Sequence, residues 1–384
     1  MVSTKIRWLK GHVGSTPARG TIIQGAAIIR SQPLSIAVGM VGYGLSARIL
    51  QRPLIEAAGM DIVAAVTHQR EALQKELPRA QALPDLAALL ALPRLDLVVI
   101  ATPNQLHFPQ ALAALEAGKH VVIDKPMALD VRQCDRLIEV AEARGRALSV
   151  FQNRRWDSDF LTLRQLMAND VLGPIVTFEA RWDRYRPAIP DRWRERPDHG
   201  GGALYDLGPH LIDQALCLFG QPEWIEADVF MQRAGALVDD AFQIRMGQGT
   251  RRIVLGSSAI APDASQRYTV HGLKASFRKS GLDVQEQQLR DALAVTDPAF
   301  GVEPAGQWGM LIPANTNANA PRAVPPERGN WREFYRILRH GIESDSTASR
   351  IPMPMPVPAR EARAVIRLIE AARESSASGS RLQL

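Results

Sequence analysis

The 384-residue chain is 46% hydrophobic and 22% charged with a formal charge of +6, a composition typical of globular protein and too long for one ordinary core. No apolar run approaches the roughly eighteen residues needed to span a bilayer, which excludes a transmembrane helix. Cys134 and Cys217 form neither a metal spacing nor a disulfide framework, and the scattered arginines come with no zinc-knuckle or helix-turn-helix pattern. No metal, membrane or nucleic-acid partner is therefore expected, and a reducing cytoplasm is the expected compartment.

The chain opens with a basic stretch. No Asp or Glu precedes Glu56, whereas Lys5, Arg7, Lys10, Arg19 and Arg30 fall early in that span. Residues 1–33 lack the continuous apolar core and small-residue cleavage site of a signal peptide, so a disordered extension or an over-extended start is expected.

From Leu34 the pattern is regular. "LSIAVGMVGYG" reads as a strand ending in glycines, and "LSARILQRPLIEAAG" as a helix. "MDIVAAVT", "RLDLVVIAT" and "KHVVIDKP" read as further strands, with "QLHFPQALAALEAG" and "VRQCDRLIEVAEARG" as helices between and after them. Their near-continuous apolar character fits a doubly wound parallel sheet covered on both faces, assigned to residues 34–155. "RALSVFQNRRW" reads as one more strand. The rhythm then changes: "PIVTFEARWDRY", "EWIEADVFMQR", "DDAFQIRM" and "RRIVLGSSAI" alternate polar and apolar residues, which predicts a mainly antiparallel sheet in an α+β domain over residues 156–384. Two helices, "NWREFYRILRHGI" and "AREARAVIRLIEAAR", close the chain across the stiff connector "IPMPMPVP".

"GYGLSA" sets Gly42, Gly44 and Ala47 in a G-x-G-x-x-A pattern between strand and helix, with Tyr43 and Leu45 inside the turn. The first glycine suits a tight turn, the second allows backbone to approach a pyrophosphate, and the helix N-terminus offers N–H groups to phosphate. The surrounding βα units give this weak pattern its context, and dinucleotide binding is expected. NAD sites place a carboxylate at the end of the second strand; here Thr67, His68, Gln69 and Arg70 stand there, and Asp61 is at the opposite end. A hydroxyl and a guanidinium suit the extra phosphate of NADP, so NADP is the expected cofactor, with NAD as the alternative and a solvated Arg70 as the bland reading.

Thr102, Pro103 and Asn104 fall at the ligand-binding end of a strand and are candidates to line the nicotinamide ribose, with His107 as helix packing or support. Asp124 and Lys125 end the next strand. In a closed pocket the Lys125 ammonium could hydrogen-bond a substrate hydroxyl, and a tether to Asp124 or to backbone is the structural alternative. In "GGALYDLGPHLIDQALCLFG", Gly200, Gly201 and Gly202 permit close backbone approach, and Pro209 suits a first helical turn, so a helix is expected to begin near Asp206. Asp206 and His210 then share one helix face, a carboxylate beside the imidazole best suited to proton transfer at neutral pH. A capped core histidine is the alternative, and Asp213 is surface decoration or His210's partner.

"VGYGLSA", "ATPNQLHFPQALAALEAGKHVVIDKPMA" and "GGALYDLGPHLIDQAL" together resemble the glucose-fructose oxidoreductase / inositol dehydrogenase / rhizopine-catabolism (Gfo/Idh/MocA) family from Leu34 to the last helix. The resemblance implies an N-terminal Rossmann domain, a C-terminal domain with a large open sheet, and a homodimer or homotetramer formed through that sheet. It matches the family's E-K-P lysine to Lys125, and its D-x-G-x-H aspartate and histidine to Asp206 and His210, the histidine as general acid/base. Asp124 replaces the commoner glutamate. "FQNRRWDSDF" and "DRWRE", with Asn153, Arg155, Trp156 and Trp193, look similar to the branch of NADP-dependent scyllo-inositol dehydrogenases and imply a polyol or sugar substrate. The implied reaction is hydride transfer between nicotinamide and a secondary hydroxyl, His210 taking the proton, Asp206 orienting His210 and Lys125 polarising the oxygen. A family glycosidase that oxidises its sugar transiently, and a nucleotide-binding regulator without turnover, are the rival readings.

Overall fold

The computed structural model describes residues 35–315, 320–345 and 354–384; the basic N-terminal extension and the first part of the proline-rich connector lie outside the described residues. Six strands, β1 (Ala37–Val41), β2 (Asp61–Val66), β3 (Gln81–Leu83), β4 (Leu97–Ile100), β5 (His120–Ile123) and β6 (Leu148–Val150), pair in parallel in the order β3-β2-β1-β4-β5-β6. β1, β4, β5 and β6 are buried along their whole length, which is why their sequences are continuous in Val, Ile, Leu and Ala. This is the doubly wound Rossmann arrangement, whose strand order reverses beside β1 and opens a crevice there.

Helices α1 (Arg52–Ala57), α2 (Arg70–Glu76), α3 (Leu86–Leu90), α4 (His107–Glu116) and α5 (Val131–Arg144) connect these strands. A wide-pitch π turn, Ser46–Gln51, precedes α1, and Pro53, which has no N–H to donate, sits in the first turn of α1. β6 stops at Val150, short of the strand expected for "RALSVFQNRRW". Asn153–Trp156 instead form a single 3-10 turn, which buries the Arg154 guanidinium between the rings of Trp182 and Trp331 at 4.7 and 4.8 Å.

Helices α6 (Ser158–Ala168), α7 (Ala203–Asp206), α8 (Gly208–Phe219), α9 (Gln285–Arg290), α10 (Arg332–Asp345) and α11 (Ala359–Ser378) accompany a second sheet. Its strands are β7 (Ile175–Arg181), β8 (Trp224–Phe230), β9 (Ala241–Gln248), β10 (Arg251–Ser258), β11 (Gln266–Gly272), β12 (Ala275–Ser280), β13 (Gly309–Pro313), β14 (Arg322–Val324) and β15 (Leu382–Gln383). They run in the order β14-β13-β12-β11-β7-β10-β9-β8-β15, antiparallel except where β10 lies parallel to β7. Phe178, Phe242, Ile244, Leu255, Val270 and Phe277 occupy the covered face, where α8 and α11 pack, and the alternate positions Gln243, Arg245, Arg252 and Arg278 are exposed. The alternation seen in the sequence is this difference between faces.

The helix expected to begin near Asp206 is broken in two. Asp239, from the turn before β9, accepts from Ala203 N through its carbonyl and from Leu204 N through Oδ2, both at 2.7 Å, and so starts α7 earlier. α8 then begins afresh at Gly208 with Pro209 in its first turn. The last helices return to the parallel sheet: α10 packs on α1 and α11 on α5 and β6. Phe151, Phe334 and Tyr335 form an aromatic seam with 5.0 Å centroid spacings, and the Tyr335 hydroxyl donates to Gln51 Oε1 at 2.6 Å.

Beneath the second sheet's covered face, Arg267 is fully buried and donates to Asp159 at 3.0 Å and to Gln214 at 2.7 Å. Arg267→Met leaves the Asp159 carboxylate buried without its cation and is expected to lower stability by about 3–5 kcal/mol in urea unfolding. A loss below about 1 kcal/mol, the scale of an exposed pair, would show that Asp159 does not need it.

Candidate active site

The cleft begins at the glycine turn. Gly42 has φ +86°, and a Cβ there would meet Ala101 O at 2.7 Å, so the turn demands glycine. Gly44 has nothing within 4 Å of the equivalent position, Ala47 is fully buried, and Leu45 supplies no side-chain cap to the helix start. The space beside Gly44 at the start of this helical turn is therefore open, an arrangement that fits the pyrophosphate of a dinucleotide. Tyr43 is buried with its hydroxyl on Glu76 at 3.0 Å, and Glu76 also takes Arg48 Nε at 2.7 Å. Of Tyr43, then, only the backbone is available to a ligand at this turn.

At the end of β2, Thr67 Oγ1 accepts from Gln69 N at 2.9 Å, while Arg70, which opens α2, is exposed. At the end of β4, Thr102 donates to Gln110 at 2.7 Å, Pro103 precedes a 3-10 turn, and Asn104 Nδ2 donates to Gly200 O at 2.8 Å, tying the two sheets' loops together. His107 is buried with its ring nitrogens 2.7 Å from Pro126 O and 2.9 Å from Thr102 O, so it links the loops that follow β4 and β5.

Lys125 follows β5, and its peptide bond to Pro126 is cis. Its Nζ donates to Asp206 O at 2.6 Å and Asp206 Oδ1 at 3.0 Å, whereas Asp124 takes only the Lys125 backbone N–H, at 2.8 Å. The tether of the lysine is thus Asp206 and not Asp124. Asp206 also receives Arg184 at 3.1 Å and Arg194 at 3.4 Å. Burial alone would raise its pKa, but Lys125, Arg194 and Arg184 hold it well below the usual carboxylate range.

Asp206 spends its oxygens on these three cations and not on His210, because α7 and α8 are separate helices. The expected carboxylate-to-imidazole hydrogen bond is replaced by an indirect arrangement in which both flank Lys125. His210 stacks on Trp182 at 5.5 Å, and its Nδ1 is buried with no partner among the described residues. Desolvation first, then the positive charges of Lys125 and Arg154, push its pKa well below 6.5, so the imidazole is neutral and able to accept a proton.

Asp213 is neither surface decoration nor the partner of His210: it is buried and grips Arg155 through two bonds of 2.6 and 2.8 Å. Arg155 also reaches Glu361 at 2.6 Å and, with Trp156, borders a separate hollow. Neither lines the main cleft, whereas Asn153 does. Trp193 borders a small pocket shared with Asn104 and Lys125, its ring under Arg194 at 4.4 Å.

The main cleft, about 780 Å³, brings Leu45, Asp124, Lys125, Asn153, Asp206 and His210 together. It also holds residues the motif reading missed, chiefly Arg154, Trp182, Arg184, Arg186, Arg192 and Arg290. A signal existed: in "RWDRYR" the residues Trp182, Arg184 and Arg186 recur every second position, and their backbones continue the pairing of β7 with the strand end at Gly256, Ser258 and Ala259. No described cluster of His, Cys, Asp or Glu is arranged to hold a metal ion, and no described helix is long and apolar enough to cross a membrane.

A dinucleotide cradle facing a lysine and a neutral histidine defines a nicotinamide-dependent oxidoreductase. Residues 36–152 match the oxidoreductase family with an NAD-binding Rossmann fold, and residues 160–278 match the GFO/IDH/MocA C-terminal domain. The chain is 38% identical to the uncharacterized oxidoreductase YdgJ of Escherichia coli over 89% of its length and 96% of that protein. It is 36% identical to scyllo-inositol 2-dehydrogenase (NADP(+)) IolW of Bacillus subtilis, over 89% of the chain and 94% of that enzyme. The solved structure of Bacillus subtilis yvaA superposes with a TM-score of 0.86 at 35% identity, covering 91% of this chain and 98% of that one. The protein belongs to the Gfo/Idh/MocA family of oxidoreductases.

The charges around His210 make a specific expectation. Its imidazole signal in a nitrogen-labelled sample should stay in the neutral form through pH 6.5 and titrate only well below it. Lys125→Met removes a facing positive charge and should move that midpoint upward; an unmoved midpoint would take Lys125 out of the field acting on His210. Because the folded pKa lies below the unfolded one, this group's contribution to stability is present above pH 6.5 and is lost as pH falls toward the folded value.

Proposed function

We propose that the protein transfers a hydride between NADP and a secondary hydroxyl or ketone of a polyol or sugar, with an inositol as the best single candidate. The observation that carries this reading is the placement of Lys125 and a neutral His210 in one cleft with the open glycine turn. Gly42, Gly44, Leu45 and Ala47 would hold the pyrophosphate, Thr67 and Arg70 the adenosine end, and Thr102, Pro103 and Asp124 the nicotinamide end. A bound nicotinamide supplies or accepts the hydride.

The protein's own residues handle the proton and the charge. An ammonium has three N–H bonds, and Lys125 directs two of its hydrogen bonds at Asp206, leaving one donor for the substrate oxygen. That donor stabilises the negative charge that develops there. The enclosed Nδ1 of His210 leaves Nε2 to exchange the hydroxyl proton. Asp206 acts by positioning Lys125, and Asn153 in the cleft and Trp193 beside it would flank the substrate.

The choice of NADP rests on Thr67 and exposed Arg70 at the end of β2 and on the NADP dependence named for IolW. The inositol candidate rests on the same relative. The exposed face of the nine-stranded sheet supports a homodimer or homotetramer through that sheet.

The test is absorbance of reduced cofactor with NADP or NAD and a panel of inositols, aldoses and their ketones. Turnover with NADP is expected, and Lys125→Met should lower kcat about 100-fold or more with NADPH affinity within about threefold. Near-normal turnover of that variant removes Lys125 from the mechanism. Arg70→Ala should cost the NADP preference about tenfold; equal affinity of the unaltered protein for NADH and NADPH would overturn the cofactor assignment.

A further inference from the structure

The substrate side of the cleft is more basic than hydride transfer to a neutral polyol requires. Its cationic side chains share few carboxylates: Asp206 serves Lys125, Arg184 and Arg194, and Glu286 serves Arg154 and Arg290. Arg192 is met by Glu195, which is also committed to Arg233 at 2.7 Å. Arg186 has no carboxylate partner among the described residues, although it lines the cleft beside Arg184, Arg192 and Arg290. Partial burial first, then the positive charges of Arg184, Arg192 and Arg290, pull the Arg186 guanidinium below its ordinary pKa, with Asp206 opposing them. A guanidinium does not relieve such crowding by losing its proton at neutral pH, and Arg186 is exposed, so its charge is available to an anion that enters the cleft.

A second observation gives that anion room. The cleft does not end at Arg186 but continues into a hollow of about 1200 Å³ along α9, the two sharing Arg154, Trp182, Arg184, Arg186, Glu286 and Arg290. The glycine turn borders the same cleft through Leu45 and Ser46, and α9 contacts the Ser46–Gln51 turn, so the anion site has to be probed with the cofactor already bound; Arg70, which opens α2 beyond β2, does not line this cleft. Arg184 and Arg186 extend β7 in the mixed-sheet half, with Arg186 N on Ala259 O at 2.6 Å.

We infer that the physiological substrate is a polyol or sugar bearing an anionic substituent, a carboxylate or a phosphate ester, which Arg186 binds with Arg184 and Arg290 while the hydroxyl-bearing ring lies at Lys125 and His210. This rests on the dehydrogenase reading for the orientation of the ring, but the anion site is measurable without turnover. Guanidinium groups match both carboxylate and phosphate through paired N–H donors, and a polyol of the same size without the anion leaves Arg186 without a charged partner.

The test is calorimetric binding to the NADPH-loaded protein, comparing D-glucuronate with D-glucose and myo-inositol 1-phosphate with myo-inositol. At least one anionic probe is expected to bind about tenfold or more tightly than its neutral partner, a preference that shrinks when ionic strength is raised about tenfold. Binding of the glucuronate alone identifies a carboxylate site, and of the inositol phosphate alone a phosphate site. Arg186→Gln should remove most of the preference while leaving NADPH affinity intact, and Arg186→Lys should keep part of it. Equal binding of neutral and anionic probes overturns the inference, as does an Arg186→Gln variant that loses NADPH affinity and keeps its probe preference. If an anionic probe binds through Arg186 but exchanges no hydride in either direction, the anion site stands and the dehydrogenase reading falls.

Discussion

One half-buried carboxylate holds the two halves of this protein in register. Asp206 ends α7 in the mixed-sheet half, and its backbone and side-chain oxygens both receive Lys125 from the end of β5 in the parallel-sheet half. It keeps its charge because three cations surround it, and they stay close to one another because it is there. Removing either member of such a set leaves charge uncompensated in a partly dry cleft, which is the costly case for a buried ion pair. The pair therefore fixes where the lysine's remaining donor can go, and that position follows from how α7 starts, which Asp239 and the close approach at Gly202 determine.

The same cations set the state of His210. Lys125 from the parallel-sheet half and Arg154 and Arg267 from beyond it all act on the imidazole, so the field on it comes from the architecture of both halves. Arg154 is held between two tryptophans and Arg267 by Asp159 and Gln214, which makes those positive charges permanent features of the core. A histidine in such surroundings needs no directly bonded carboxylate to remain a base. Desolvation and repulsion keep the imidazole unprotonated, the opposite of a paired carboxylate, which would stabilise its charged form.

The parallel sheet and its glycine turn were legible because each strand is a short apolar run buried on both sides, and because Gly42 and Gly44 stand where strand meets helix. The alternation in β7 to β10 was legible for the opposite reason, since one face there is exposed. What stayed hidden depends on contacts distant in sequence. Lys125 and Asp206 are separated by 81 positions, and nothing local in "GGALYDLGPH" indicates that Asp206 closes one helix and His210 belongs to the next. Arg154 and Arg155 could not be told apart, because successive residues in a 3-10 turn are rotated by about 120° and one enters the cleft while the other meets Asp213. β3, β14 and β15, of two or three residues each, are defined by their neighbours and have no periodicity of their own to read.

The cleft is bridged or flanked by bonds that do not depend on a ligand. Asn104 holds Gly200, Lys125 holds Asp206, and Tyr335 returns from α10 to Gln51 beside the glycine turn. These contacts start from three different elements of the parallel-sheet half, so rotation of one half about any single contact would break the others. The spacing between the pyrophosphate cradle and the lysine is thereby a property of the folded chain, the arrangement expected where reacting groups must be held at fixed separation. The arginines beyond them come from several segments: Arg184 and Arg186 extend β7, Arg192 and Arg194 flank Trp193, and Arg290 ends α9. Arg184 and Arg194 are tied into the bracing through Asp206.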